Sequence, residues 1–154
     1  WVVGDGPLRS ELEEAAALRA GEGFRVTILG RRTWSELRDA YRSSSIFALA
    51  SHYEGFGLVL SEASSAGLPL VAYDVSAGIR AQVIHGETGL LAAERQKGAF
   101  AGALRRLMID SGLRKRLGAA GISYALRYSP GVAVRDWVNF LRICSRLIDG
   151  SPAR

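Results

Sequence analysis

The sequence predicts an α/β fold, with helices flanking a parallel sheet and a helical tail closing the chain. Short apolar segments alternate with helical segments through residues 1–93, and this alternation is typical of right-handed βαβ units. From residue 94 onward, apolar residues recur at the three- and four-residue spacing of helices. A length of 154 residues and a hydrophobic content of 48% suit one globular domain.

The predicted strands are apolar runs bounded by turn residues, at 1–4, 24–30, 45–51, 68–74 and 89–93. The predicted helices cover residues 8–21, 33–44, 57–67, 95–112, 113–128 and 130–149. Pro7 suits the start of the first helix, and Thr33 or Ser35 together with Glu36 could cap the second. The strand at 45–51 is apolar almost throughout, so we expect it to be buried on both faces. We expect a single Rossmann-like domain over residues 1–150.

The charge of the chain is unevenly distributed. The net charge is +5, but residues 1–94 carry −4 and residues 95–154 carry +9. This basic tail is either a solvated surface or a contact for an anionic partner such as a membrane. No nucleic-acid-binding motif accompanies it, so we expect no nucleic acid partner.

The single cysteine, Cys144, lies among apolar residues at helical spacing, which favours a buried structural thiol. A chain without an internal disulfide fits a cytoplasmic location. No apolar run approaches the ~20 residues that cross a bilayer. The opening "WVVGDGP" has the pattern of a strand and a turn rather than of a signal peptide, as if the chain began inside a fold. The two histidines and the cysteine are scattered, so no metal is expected.

The segment "HYEGFGLVLSEA", residues 52–63, is the most informative. A strand ends near Ser51 and a helix begins near Gly57 or Leu58, at the sheet edge where α/β folds bind ligands. Free backbone N–H groups and the helix dipole suit an anion such as a diphosphate. Gly55 and Gly57 let the backbone approach that ligand closely.

The two glutamates of this segment, Glu54 and Glu62, need a different reason. A carboxylate can accept hydrogen bonds from two vicinal hydroxyls. The expected separation of the carboxylates, on the order of 10 Å, is too large for a shared proton. Two hydroxylated rings on either side of a diphosphate would fit, which describes a nucleotide sugar. From spacing alone, a turn role for Glu54 and a solvated helix position for Glu62 remain equally open.

"EGFGLVLSEA" followed by "AGLPLVAYDVSAGIRAQVIHGETGLL" resembles the C-terminal half of retaining, family-4-type glycosyltransferases with the GT-B fold. Their Glu-x7-Glu signature is matched by Glu54 and Glu62. "WVVGDGPLRSELE" and "YSPGVAVRDWVNFL" are also similar to that family, so the resemblance spans nearly the whole chain.

The resemblance implies a role for each matching position. It implies that Glu54 is catalytic and faces the hydroxyls of the transferred sugar, and that Glu62 binds the nucleotide ribose. The backbone after Glu54 would contact sugar and phosphate, through Gly55, Phe56, Gly57 and Leu58. The base would lie against the loop 30–33, where Arg32 is either a donor contact or a loop charge. The substrate would be a nucleotide-sugar donor, most simply a UDP-sugar, and no cofactor is implied.

The sequence also departs from the family pattern. The segment of the type Asp-x-Gly-Gly-x-x-Glu appears here as "DVSAGIRAQ", a variant similar to that of enzymes which build cell-surface polymers. Members of that family carry an Arg and a Lys that bind the phosphates, and an N-terminal domain for a sugar, lipid-linked or polymer acceptor, and the resemblance implies that these would precede the matched region. We therefore expect the chain alone to transfer no sugar.

Other readings stay open beside the transferase. One is a non-catalytic nucleotide-sugar binding module or partner subunit. A phosphorylase-like enzyme is less consistent with the sequence, because both lysines, Lys97 and Lys115, lie in the tail. Peripheral contact with the inner face of an anionic membrane is the sharper reading of that tail.

Overall fold

The computed structural model describes residues 1–19, 21, 23 and 25–148. The chain divides into two compact units, Trp1–Ser43 and Ser44–Arg154. Phe24, where a predicted strand begins, and Asp149, where a predicted helix ends, lie outside the described residues. The α/β class is confirmed, but the described strands form two parallel sheets rather than one.

The first unit contains two strands and two helices: β1 (Val2–Val3), α1 (Arg9–Leu18), β2 (Ile28–Gly30) and α2 (Trp34–Ser43). β1 and β2 pair in parallel, with Val2 opposite Ile28. Both strands are shorter than the sequence predicts, and α1 ends three residues before Gly21.

A capping box begins α2, which confirms Thr33 as the predicted cap. Glu36 Oε2 accepts from the backbone N–H and from the hydroxyl of Thr33, both at 2.8 Å. The Glu36 N–H donates to Thr33 Oγ1 at 3.4 Å. Hydrogen bonds from Thr33 lower the pKa of the Glu36 carboxyl, the backbone N–H by more than the hydroxyl. These bonds satisfy donors that a helix start would otherwise leave unpaired.

The second unit contains three strands and five helices: β3 (Phe47–Leu49), α3 (Leu58–Ser65), β4 (Leu70–Tyr73), α4 (Ala77–Gln82), β5 (Gly89–Ala92), α5 (Ala99–Ile109), α6 (Ser111–Ala125) and α7 (Pro130–Ile148). A short 3₁₀ turn, Leu126–Tyr128, joins α6 to α7. The sheet has the order β3-β4-β5, and all pairs are parallel.

The expectation that residues 45–51 form a strand buried on both faces is wrong. In β3, Ala48 is exposed and Phe47 and Leu49 are only half-buried. β4 has neighbours on both sides and buries Leu70, Val71 and Ala72 completely. An apolar run indicates a preference for burial but does not fix the place of a strand in the sheet.

The core of the second unit lies between its sheet and helices α5 and α6. Val71 and Leu90 from the sheet pack with buried leucines of the two helices, Leu107, Leu113 and Leu117. α6 also packs against α3, where Gly118 meets the carbonyl of Gly67 so closely that a Cβ would lie 2.2 Å from it. α3 is therefore fixed from its C-terminal end.

Helix α4 was not predicted from the sequence. It has six residues and is capped by Ser76, whose Oγ accepts from the Ile79 N–H at 3.2 Å. Ile79 is 1% exposed, so the short helix is anchored by burial of its first turn. Isolated helices of this length are unstable in water, which explains why local pattern alone gave no signal.

The helical tail differs from the prediction at its joints. α5 begins at Ala99, and Asp110 caps α6 by accepting from the Leu113 N–H at 2.8 Å. Arg114 donates to the carbonyls of Leu107 and Met108 at 2.6 and 2.9 Å. This basic residue therefore closes the C-terminal end of α5 rather than standing free for a partner.

No residue of α7 is buried. Its large apolar side chains face solvent, including Val134, Trp137, Phe140, Leu141 and Leu147. Cys144 is half-buried, so the expectation of a buried thiol is wrong. Among the described residues, no helix combines the length and apolarity needed to cross a bilayer.

Candidate active site

The loop Ser51–Gly57 connects the carboxyl end of β3 to the start of α3. Gly57 is the N-cap of α3 and has left-handed backbone angles, φ 73° and ψ 57°. A Cβ there would lie 2.9 Å from Leu60 Cδ1 and 3.2 Å from Ile79 Cδ1. The conformation and the space both require glycine, so this predicted site residue sets the angle at which the chain enters the helix.

Glu54 is half-buried, and its carboxylate is held at the helix start. Its Oε1 accepts from the Gly57 N–H at 3.1 Å. A carboxylate at a helix N-terminus is stabilised by the backbone dipoles. Because two carboxylate oxygens offer about four acceptor positions, Glu54 can keep this bond and still accept from hydroxyls of a ligand.

The first turn of α3 presents backbone donors beside this carboxylate. Leu60 N–H donates to the Gly57 carbonyl at 2.8 Å. The N–H groups of the first helical residues, Leu58 and Val59, have no acceptor within a helix. Leu58 begins α3 and its side chain is 67% exposed, so the helix start is open to solvent.

Glu62 is the fifth residue of α3 and is half-buried. The structure therefore brings together six of the seven predicted site residues on one loop and the helix that follows: Glu54, Gly55, Phe56, Gly57, Leu58 and Glu62. Arg32 belongs to the first compact unit, where it donates to Glu36 Oε1 at 3.1 Å. That pair is exposed, and such pairs contribute little stability.

Helix α4 supports the site loop, a feature that the sequence reasoning missed. An ideal Cβ on Gly78 would lie 1.8 Å from the Gly55 carbonyl oxygen and 2.7 Å from Phe56 Cα. Only glycine lets the two backbones approach this closely. Ser76 Oγ also donates to the Gly55 carbonyl, over a long 3.4 Å. The sequence feature that could have indicated this contact is Gly78 in "SAGIR", which corresponds to one of the two glycines of the family pattern.

Two tyrosines of the tail complete the support. Tyr124 and Tyr128 both donate to the carbonyl of Ala81 in α4, at 2.9 and 2.7 Å. The Tyr128 ring meets Phe56 edge-on at 5.5 Å between centroids. Burial is the main cause that raises the pKa of the Tyr128 hydroxyl, and the neighbouring Tyr124 raises it further. A raised pKa keeps the hydroxyl in its protonated form, which can donate. The side chain of Phe56 is thus tied through the tail to α4.

His52 lies on the same loop, two residues before Glu54. Its Nδ1 is 3.0 Å from Glu94 Oε1, and its ring stacks on Tyr73 at 5.3 Å between centroids. Tyr73 ends β4, and Glu94 follows β5. The structure therefore gives His52 partners at the ends of two other strands.

A groove of about 580 Å³ lies in the first unit between α1 and β2. Its walls include Glu13, Ala17, Arg25 and Thr27, and none of the predicted site residues lines it. Within the described part of the chain, no group of three or more His, Cys, Asp or Glu side chains converges as metal ligands would.

Comparison with known proteins supplies a family. Residues 1–124 match the family described as glycosyl transferases group 1. A D-inositol 3-phosphate glycosyltransferase of Streptomyces bingchenggensis is 34% identical over 125 residues, 81% of this chain and 27% of that protein. An exopolysaccharide phosphotransferase of Streptomyces coelicolor is 34% identical over 96% of this chain and 16% of its own length.

Among solved structures, the pneumococcal O-GlcNAc transferase GtfA, in complex with UDP and GlcNAc, superposes with a TM-score of 0.77. It is 26% identical, and the match covers 91% of this chain and 28% of that one. The matched region thus makes up 27%, 16% and 28% of these three proteins.

Proposed function

Because this chain belongs to the group 1 glycosyltransferases, with the GT-B fold, we propose that it is the donor-binding domain of a retaining, family-4-type enzyme. The enzyme transfers a sugar from a nucleotide sugar, most simply a UDP-sugar, to an acceptor. The acceptor belongs to the synthesis of a cell-surface polysaccharide or glycopolymer and is bound by another part of the full protein.

The observation that carries this proposal is the arrangement of Glu54, the helix start at Gly57 and Glu62 along one loop and helix. The N–H groups of the first turn of α3 suit the diphosphate. Glu54, fixed by its bond from Gly57 at 3.1 Å, takes hydroxyls of the transferred sugar. Glu62, one turn into α3, takes the ribose. The UDP and GlcNAc bound by the related GtfA support a ligand of this chemical class.

The expected catalysis is positioning of the sugar together with stabilisation of the leaving diphosphate. The bond between the anomeric carbon and the diphosphate breaks, and the diphosphate leaves with the electron pair. The helix dipole and N–H groups of α3 stabilise the charge that develops on it. Glu54 holds the ring, and the acceptor hydroxyl passes its proton to the leaving diphosphate as its oxygen bonds to the same carbon, with retention.

The location that fits this role is the cytoplasm, at the inner face of the membrane. Exposed basic residues on α5 and α6 would contact anionic lipid: Arg105, Arg106, Lys115 and Arg116. The relative named as an exopolysaccharide phosphotransferase supports a role at surface polymers.

Calorimetric titration with UDP and with UDP-glucose tests the assignment of the glutamates. We expect wild type to bind with a Kd of roughly 0.1–10 mM, because a single helix start and two carboxylates supply few charge-assisted contacts. Glu62→Ala should weaken the binding of both ligands about 10-fold or more, since the ribose is common to both. Glu54→Gln should weaken the binding of UDP-glucose and leave the binding of UDP unchanged.

Glutamine at position 54 keeps an oxygen for the Gly57 N–H, so the loop is preserved while the charge is removed. Glu87→Ala, an exposed acid on the turn after α4, serves as the matched control and should leave both affinities unchanged. Equal losses for UDP and UDP-glucose at Glu54 would contradict its assignment to the sugar.

A further inference from the structure

His52, Tyr73 and Glu94 form a contact that crosses the carboxyl edge of the three-stranded sheet. His52 follows β3, Tyr73 is the last residue of β4, and Glu94 follows β5. Since these strands are neighbours in the order β3-β4-β5, the histidine reaches over the middle strand to the far one. Nδ1 of His52 lies 3.0 Å from Glu94 Oε1.

Two contacts restrict the imidazole, the bond to Glu94 and a ring stack, although its side chain is 62% exposed. The ring lies nearly parallel to Tyr73, at 5.3 Å and 24°. Tyr73 in turn packs on Phe100 of α5 at 4.8 Å. An exposed histidine–carboxylate pair alone would contribute little, but here the stacked ring and the hydrogen bond act on the same side chain.

The loop that this contact holds is the one that carries Glu54. On its other side the loop is fixed by Gly78, through the Gly55 carbonyl, and by the bond from Gly57 to Glu54. We propose that His52 and Glu94 are a positioning pair that holds the Ser51–Gly57 loop in the shape that binds the donor sugar, before any ligand arrives. The proposal rests on the donor-binding function proposed above, but it concerns the free protein and can be tested there.

The chemistry of the pair also determines which ring nitrogen of His52 carries the hydrogen of the bond. Glu94 is an acceptor, so the Nδ1 of His52 carries the hydrogen of this bond. Asparagine at position 52 places an amide N–H close to the position of Nδ1, whereas glutamine places one near Nε2. The two substitutions therefore separate a tie to Glu94 from a direct contact made by Nε2.

Amide hydrogen exchange of Gly57, measured on the free chain, is the primary test. His52→Ala and Glu94→Ala should each speed its exchange, within a range of about 3-fold to 10-fold, and His52→Ala should be the faster because it loses the ring contact as well as the pair. The double variant should be no faster than His52→Ala, because that substitution already removes the contact with Glu94. His52→Asn should restore most of the protection, and His52→Gln should not.

Tyr53→Ala is the matched control, because this neighbouring side chain is 96% exposed. It should leave the exchange of Gly57 unchanged. A wild-type rate in His52→Ala, or a rescue by glutamine but not by asparagine, would overturn the proposal.

A binding measurement then connects the pair to the donor. His52→Ala should weaken the binding of UDP-glucose more than that of UDP, with an unchanged thermal midpoint. If exchange responds as expected while wild type binds neither UDP nor UDP-glucose, the pair is a loop tie and the proposed function fails. If wild type binds both ligands and His52→Ala binds them equally well, the positioning role is wrong and the proposed function stands.

Discussion

Replacing Gly78 with alanine should damage the site loop more than it damages the fold. The new Cβ would lie 1.8 Å from the Gly55 carbonyl oxygen, and backbone Cβ contacts essentially never fall below 3.0 Å. The loop and α4 must therefore separate by about 1.2 Å. Overpacking of this kind costs about 1–3 kcal/mol of unfolding free energy. A displacement on the order of 1 Å at a binding site can cost about 100-fold in function.

Two measurements on Gly78→Ala separate these effects: urea unfolding for stability, and calorimetric titration with UDP-glucose for the site. Gly118→Ala is the matched comparison, because its Cβ would lie 2.2 Å from the Gly67 carbonyl, at the other end of α3. Both variants should lose stability by a similar amount. Only Gly78→Ala should lose most of its affinity, since only Gly78 touches the loop that carries Glu54.

Wild-type affinity in Gly78→Ala would refute the reasoning, because the loop would then have absorbed the displacement without moving its ligand-binding groups. Equal losses of affinity in the two glycine variants would also refute it, since the effect would then follow stability and not the loop.

Four further predictions concern other parts of the chain. Thr33→Ala should cost about 0.5–2 kcal/mol in urea unfolding through the lost cap. Because the folded pKa of Glu36 lies below its ordinary 4.5, the stability that wild type gains over Glu36→Ala should be complete near neutral pH and disappear as pH falls below about 4.5. Gly102→Ala should raise the unfolding free energy by about 0.5–1 kcal/mol, because this exposed position in α5 has no neighbour within 4 Å of an added Cβ. Replacing Arg105 and Arg106 together by glutamine should lower co-sedimentation with anionic vesicles about 30-fold at low salt; equal binding of wild type to neutral vesicles would exclude the membrane role.

Local chemistry made much of the fold predictable. Gly57 and the helix after it could be placed because a glycine at a strand–helix junction and the following apolar pattern lie within a few residues. The Thr33–Glu36 cap was predictable for the same reason. β3 was placed in the wrong environment because its apolar run says nothing about which strands lie beside it. α4 was missed because its six residues are held by burial of Ile79 and by contact with a distant loop.

The site shows the same division. Glu54 and Glu62 were identified through their spacing and the family resemblance, and the structure places both on the loop and helix expected. The supporting residues could not be found in this way. Gly78, Tyr128 and Glu94 lie 24, 74 and 40 positions from Glu54 in the chain, so only folding brings them to its loop.

The exposed apolar side of α7 affects how much of this chain accumulates when it is produced by itself. Trp137, Phe140 and Leu141 are each more than half exposed, on a helix with no buried residue. Chaperones and proteases continuously sort chains that display such surface, and abundance depends on the outcome. When this chain is produced by itself, degradation should therefore limit how much of it accumulates. Polar replacements at these three positions would lengthen its half-life without touching the loop at Glu54.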